Sequence, residues 1–329
     1  MRERLEKRLK SILKKKVKLT LGVLISFLIT GTISYAEENI IKNDDILKES
    51  IVITSDTEKV INNGSIQVEN KGGIKLENAS VKEFLNNGII QAENYNGINI
   101  NNANINEFIN NGLITGNHRV TFQISNVLAL TLTNIDNLRN KNNIFYMTSN
   151  GIFLLDSNIN NLINNGVIMV NKVNHVYNSG NGISLLSSYI NNIENNGIIS
   201  GRTRITSSGS NKDSRANNGL IIQYNGEITK LSNSGIIESG QRYTDNITAA
   251  TTRNFRQGIA VYNNSKITQL QNSGIIKAYM NTDYVDFIEH GLNGISVFSD
   301  SFIDNIKNSG IISGYLKNND AKRPALAWF

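Results

Sequence analysis

The sequence contains no cysteine, one proline, one tryptophan and three histidines in 329 residues. Without cysteine there can be no disulfide and no thiolate metal site, so stability has to come from stacking and not from crosslinks. The histidines, His118, His175 and His290, are scattered through segments of variable length and do not form a metal-ligand spacing. Aromatic residues amount to only 7% of the chain, which suits many short strands and turns on a thin aliphatic core. No G-x-S-x-G nucleophile elbow occurs, nor does the Gly-Gly-x-Gly-x-Asp calcium repeat of toxin-type β-rolls. The composition thus implies no cofactor and no metal.

A net charge of +6 looks like a signal for nucleic acid, but its location removes that reading. Residues 1–36 hold nine of the 33 Lys and Arg against two of the 27 acids, so the remainder carries a net charge of −1. A neutral body does not provide the basic surface that phosphate backbones require, and no nucleic-acid partner is expected. The same 36 residues read as an export signal: a basic segment to Lys18, an apolar stretch from Leu19 to Ile33, and Ser34-Tyr35-Ala36 as a cleavage site. Cleavage is expected after Ala36, since the apolar stretch falls short of the roughly 20 residues of a membrane span.

What the chain has in abundance is one phrase: an aliphatic, two polar residues, an aliphatic, then Asn-Asn-Gly or Asn-Ser-Gly, then paired aliphatics. It reads Val81-Lys82-Glu83-Phe84-Leu85-Asn86-Asn87-Gly88-Ile89-Ile90 early and Ile303-Asp304-Asn305-Ile306-Lys307-Asn308-Ser309-Gly310-Ile311-Ile312 late. The turn glycines are Gly64, Gly88, Gly112, Gly166, Gly197, Gly235, Gly274 and Gly310. A second marker, Gly before Ile or Leu, precedes all but the first of them by 15 or 16 residues. Half of each unit is therefore almost fixed and the other half absorbs the variation, as in a solenoid whose insertions leave from one corner. In the one long gap, Ile135 to Asn142 repeats the phrase in phase, with Asn142 in the glycine place. Asparagine tolerates the left-handed conformation expected there, and the count becomes nine turns.

Within a unit, Gly97-Ile98-Asn99-Ile100 alternates as a half-buried strand should, and Ile105 to Ile109 and Leu113 to Gly116 supply two more. Three short strands per turn predict an all-β fold, a parallel β-helix of about nine coils, roughly 43 Å long at about 4.8 Å per coil. Right-handedness follows from the preference of parallel crossovers. A leucine-rich repeat has a similar length, but its L-x-L and N-x-L pattern is missing, and Asn directly before Gly is turn chemistry. Residues 37–57 are expected to form an entry cap, 58–314 the coils, and 315–329 an irregular tail. The first Asn of each turn, Asn62, Asn86, Asn110, Asn140, Asn164, Asn195, Asn233, Asn272 and Asn308, should stack into a hydrogen-bonded column.

Parallel β-helices also house polysaccharide-cleaving enzymes, and Glu83 and Glu107 recur at one phase in consecutive turns. Flanked by amides, they read better as solvent-side positions than as an acid–base pair. Recognition is expected instead in the insertions, because loops carry binding while a scaffold holds them. Residues 202–218 are rich in Arg and Ser. Residues 240–257 bring Arg242, Tyr243, Arg253, Phe255 and Arg256, and residues 279–293 bring Tyr284 and Phe287.

A long basic signal followed by an Asn/Ile/Gly-rich, cysteine-free solenoid with Asn-x-Gly turns resembles the passenger regions of Gram-negative autotransporters and related adhesins. The resemblance covers residues 37–314 and implies a non-enzymatic β-helix at the cell surface or outside the cell. Its implied partner is a protein or glycan on a host or neighbouring cell. It also implies an outer-membrane translocator barrel in the full-length gene, for which the fifteen residues after Gly314 leave no room.

Overall fold

The computed structural model describes residues 37–41, 45–93, 95–117, 126–146, 150–173, 180–205, 217–243, 251–252, 256–282, 287–288 and 292–318. The expected signal segment lies outside these residues, as do His118, His175, His290, Arg253, Phe255, Tyr284 and the tail beyond 318. No helix occurs among the described residues.

Three parallel sheets receive successive strands in strict rotation. The first and second sheets hold ten strands each and the third holds nine. One coil illustrates the plan: Ser80–Asn86 lies in the first sheet, Ile89–Glu93 in the second and Ile98–Asn101 in the third. Each strand pairs with its equivalent one coil on, so Phe84 aligns with Phe108, Ile90 with Ile114 and Ile100 with Leu130. This is a right-handed parallel β-helix.

The coils start earlier than expected. Glu37–Ile41, Ile46–Leu47 and Ile51–Ile53 already enter the three sheets, so the segment expected as an entry cap supplies one strand to each sheet. At the other end Ile311–Asn318 continues the second sheet past Gly314, so Tyr315 to Asn318 belong to a strand and not to an irregular tail. The sequence missed the first coil because it lacks the Asn-Asn-Gly phrase.

The alternation of the phrase decides what is buried. In Ser80–Asn86, Val81, Phe84 and Asn86 point inward and are buried, and the same phase buries Ile105, Phe108 and Asn110 one coil later. Phe84 and Phe108 stack with centroids 4.7 Å apart, and the row continues through Leu138, Leu162, Ile193, Leu231 and Leu270, all fully buried. Each such side chain contributes about 1.5–3 kcal/mol on leaving water. The backbone of every ordered residue costs about 1–2 kcal/mol, so a lone coil of two dozen residues cannot hold and must lean on its neighbours.

Two corners are built by different chemistry. Between the third and first sheets the chain turns through a residue in the left-handed region: Asn78 (φ 52°), Asn102 (49°), Leu132 (49°), Asp156 (48°) and Ser187 (48°). In the last three coils the corner holds two such residues, Tyr224 with Asn225, Asn263 with Asn264, and Ser299 with Asp300. That extra residue is why the distance between glycine markers lengthens from 15 to 16 there.

The Asn-Gly corner between the first and second sheets corrects an expectation. No described glycine has positive φ, and Asn142 is not in the left-handed region either. Glycine is needed because successive coils touch backbone to backbone: a Cβ on Gly88 would fall 1.9 Å from the carbonyl oxygen of Gly64. Gly88 N–H and Asn87 N–H both donate to the Asn62 carbonyl, at 3.0 and 2.7 Å. Asn142 carries a Cβ at this place, and its side-chain amide donates to the Asn111 carbonyl at 3.0 Å.

Candidate interaction surface

Inside the solenoid, the expected asparagine column forms a directional chain. Asn62 Nδ2 donates to Asn86 Oδ1 at 2.7 Å, Asn86 to Asn110 at 2.8 Å and Asn110 to Asn140 at 2.9 Å. The chain runs on through Asn164, Asn195, Asn233 and Asn272 to Asn308, every donor reaching the next acceptor within 2.8 Å. Asn62 to Asn272 are buried, which closes this column to any ligand.

Two further internal columns went unread in the sequence. Asn150, Asn181, Asn218 and Gln257 are buried immediately before the marker glycines. Here the direction reverses: Asn181 Nδ2 donates back to Asn150 Oδ1 at 2.9 Å, and Asn218 Nδ2 to Asn181 Oδ1 at 3.1 Å. The recurring amide before Gly-Ile or Gly-Leu was the signal. At the left-handed corner, the hydroxyls of Ser157 and Ser188 accept the backbone N–H groups of Thr133 and Ser157, each at 3.1 Å. These columns fix register and satisfy buried polar groups, with Gln257 Nε2 left without an acceptor.

On the outer face of the first sheet, Glu83 and Glu107 are direct register partners. Each has a neighbour of its own: Lys59 Nζ lies 3.6 Å from Glu83, while Asn137 Nδ2 donates to Glu107 at 2.7 Å and Arg139 lies 3.8 Å away. The two carboxylates belong to a half-buried row of lateral pairs. A groove of ≈ 600 Å³ runs over the same sheet nearer the C-terminal coils, lined by Asn192, Glu194, Lys230, Gln271, Ser273 and Lys307, and does not include them.

The second sheet is where the molecule departs from regularity. Its early strands, Ser65–Glu69 and Ile89–Glu93, have five residues. Its later strands, Ile198–Ile205, Ile236–Tyr243, Ile275–Thr282 and Ile311–Asn318, have eight and stay in register to their ends. Apart from the single residue added at the left-handed corner, the variable lengths of the repeat fall after these strands, before the chain rejoins the third sheet. Thr251–Thr252 and Phe287–Ile288, from successive insertions, pair with each other in parallel, so the stacking of coils is carried into the inserted segments.

The recognition residues expected in insertions separate accordingly. Arg242 and Tyr243 lie in the strand extension Ile236–Tyr243, and Phe287 in the short outer pair. Arg256 is not on a projecting loop: it is 1% exposed at the start of Arg256–Val261. It occupies the place held by buried Asn217 one coil earlier, where the chain re-enters the solenoid. The inserted segment is therefore 244–255 and not 240–257.

Buried polar groups concentrate near this corner. Glu238 is 2% exposed, accepts from Ser200 Oγ at 3.1 Å and lies 3.2 Å from Lys277 Nζ. Tyr262 stacks on Phe298 and donates to Gln257 Oε1 at 3.3 Å, and burial pushes its phenol up to about 12. No protein-family model matches the chain, and no curated protein or solved structure matches it.

Proposed function

We propose that this chain is an exported, non-enzymatic β-helix of the autotransporter-passenger kind, which mediates adhesion through what projects from one corner. The observation that carries the reading is the concentration of the large insertions at one edge. The coils hold their register from Glu37 to Asn318, while the second sheet lengthens and the insertions follow it. A scaffold that keeps its core constant and varies one edge presents that edge to something. The basic leader ending at Ala36 supports export to the cell surface or beyond. The partner is a protein or glycan on a host or neighbouring cell, and a translocator barrel belongs to the full-length gene.

Deletion of residues 244–255, which spares the buried Arg256 and Gln257, should reduce adhesion of cells displaying the chain without changing its melting temperature. Undiminished adhesion by the deletion, together with deletions of 206–216 and 283–291, would reduce the solenoid to a stalk. The adjacent carboxylates give a second reading, a polysaccharide-cleaving enzyme. Chain cleavage of an acidic polysaccharide that disappears in Glu83→Gln or Glu107→Gln would favour it over adhesion.

A further inference from the structure

The outer face of the first sheet is divided along its length. Ile61, Leu85, Ile109 and Ile163 point outward in one register row, half-buried, with Arg139 among them. The row continues as Glu194, Ser232, Gln271 and Lys307, where the groove of ≈ 600 Å³ lies. One half of the face is thus an aliphatic ridge and the other a groove lined by serine and amide side chains. The neighbouring row runs from Lys59 through Glu107 and Asn161 to Lys230. Arg139 lies one coil before Ile163 and Glu194 one coil after it. Glu107 lies two coils before Asn161 and Lys230 two coils after it. Opposite charges therefore stand symmetrically about a single coil in both rows. Glu194 and Lys230 make no ion pair among the described residues.

We infer that this face packs against the same face of a second copy, about a two-fold axis over Asn161 and Ile163, with the two solenoids antiparallel. That operation lays each row on itself and reverses the order of the coils. Arg139 then meets Glu194 of the second copy and Glu107 meets Lys230, each pair occurring twice. Ile163 meets its own counterpart, Ile109 comes opposite Ser232 and Leu85 opposite Gln271, so the ridge of each copy enters the groove of the other. No like charges come directly opposite in either row. Laid in the same coil order, the two copies would place one row on the other and match none of these charges. A two-fold interface has to be self-complementary in this way, and complementary charge fixes its register. Strands of seven residues over nine coils give a face of roughly 23 by 38 Å. That reaches the about 800 Å² per partner of a specific interface. The pairing goes beyond the adhesion reading, which needs no dimer.

The test uses the full chain, whose lack of cysteine makes any introduced thiol unique. Sedimentation equilibrium should show a reversible dimer at micromolar concentration. Asn161→Cys, on the axis, should cross-link to its counterpart through a bismaleimide spanning about 10 Å, the separation of packed sheets. Asn99→Cys, on the outer face of the third sheet, should not. Arg139→Glu and Glu194→Lys should each raise the dimer dissociation constant at least about tenfold, because each brings like charges together. An equimolar mixture of the two should recover the parent's affinity, since each variant supplies the charge the other lacks, and an unfolded variant could not do this. A parent that stays monomeric to submillimolar concentration would overturn the inference. So would an Asn161→Cys variant that cross-links no more readily than Asn99→Cys, single charge variants that pair like the parent, or a mixture no tighter than its components.

Discussion

The buried Oδ1 of Asn62 receives no hydrogen bond, because the place one coil earlier is taken by Ile41. Asn63 N–H donates to the Ile41 carbonyl as Asn87 N–H donates to that of Asn62, which fixes the equivalence. The asparagine column therefore begins with an orphaned acceptor and runs one way, each amide nitrogen serving the next coil.

That polarity predicts unequal costs along one column. Asn164→Leu removes both the acceptor of Asn140 and the donor to Asn195 Oδ1 in the middle of the chain. It should cost about 2–3 kcal/mol, since a buried polar group left without its partner costs about 1–3 kcal/mol. Asn62→Leu removes one orphan and creates another at Asn86, so it should stay within about 1 kcal/mol of the parent. Urea unfolding midpoints of the two variants decide this, and equal losses would refute the directional account.

The Asn-Gly corner predicts a contrast between adjacent residues. Gly88→Ala places a Cβ against the Gly64 carbonyl and should destabilise by more than about 2 kcal/mol, because the obstacle is backbone that cannot rotate away. Asn87→Ala, at an exposed position whose amide bonds only to Asn63 and Asn111, should cost about 0.5 kcal/mol or less. Thermal melts of the pair check it.

Leu132 is the one bulky aliphatic in the left-handed corner, at φ 49° and 54% exposed, where equivalent positions hold Asn78, Asn102 and Asp156. Leu132→Asn relieves a conformation that costs a branched side chain about 1–2 kcal/mol, and should stabilise by about 0.5–1 kcal/mol. A melting temperature below that of the parent would contradict the corner's role.

Most of this architecture was legible from the repeat. The Asn column and the inward row through Phe84 and Phe108 follow from phase, because one coil dictates the environment of the next, whereas the left-handed residues at Asn78 and Asn102 lie at a different corner from the one expected. What phase could not show was why glycine is needed at the corner, since the reason is the distance between two coils and not the conformation of one. The first coil, Glu37 to Ser55, was missed because it lacks the phrase, and Arg256 was misplaced because an arginine at the end of an insertion reads as solvent-facing. Glu83 and Glu107 were legible as neighbours, while their pairing with Lys59 and Arg139 depends on side-chain reach across the sheet.

Tyr262 predicts a pH dependence at the alkaline end. Its phenol ionises near the ordinary value of 10.0 in the unfolded chain and is pushed up to about 12 by burial in the folded one. Between those values the folded state holds the proton that the unfolded state has released, so stability falls as pH rises through this window and is intact below it. Tyr262→Phe should flatten that fall. Ultraviolet titration with unfolding measurements across the window tests it, and an unchanged slope would show that other groups carry the loss.

The most direct test of the central claim is the location and first residue of the mature protein in the cell that makes it. Surface proteolysis of intact cells, with mass spectrometry of the released or membrane-associated chain, should find a polypeptide beginning at Glu37 and accessible from outside. A chain that retains Met1 and stays in the cytoplasm would contradict export, and with it the adhesion account.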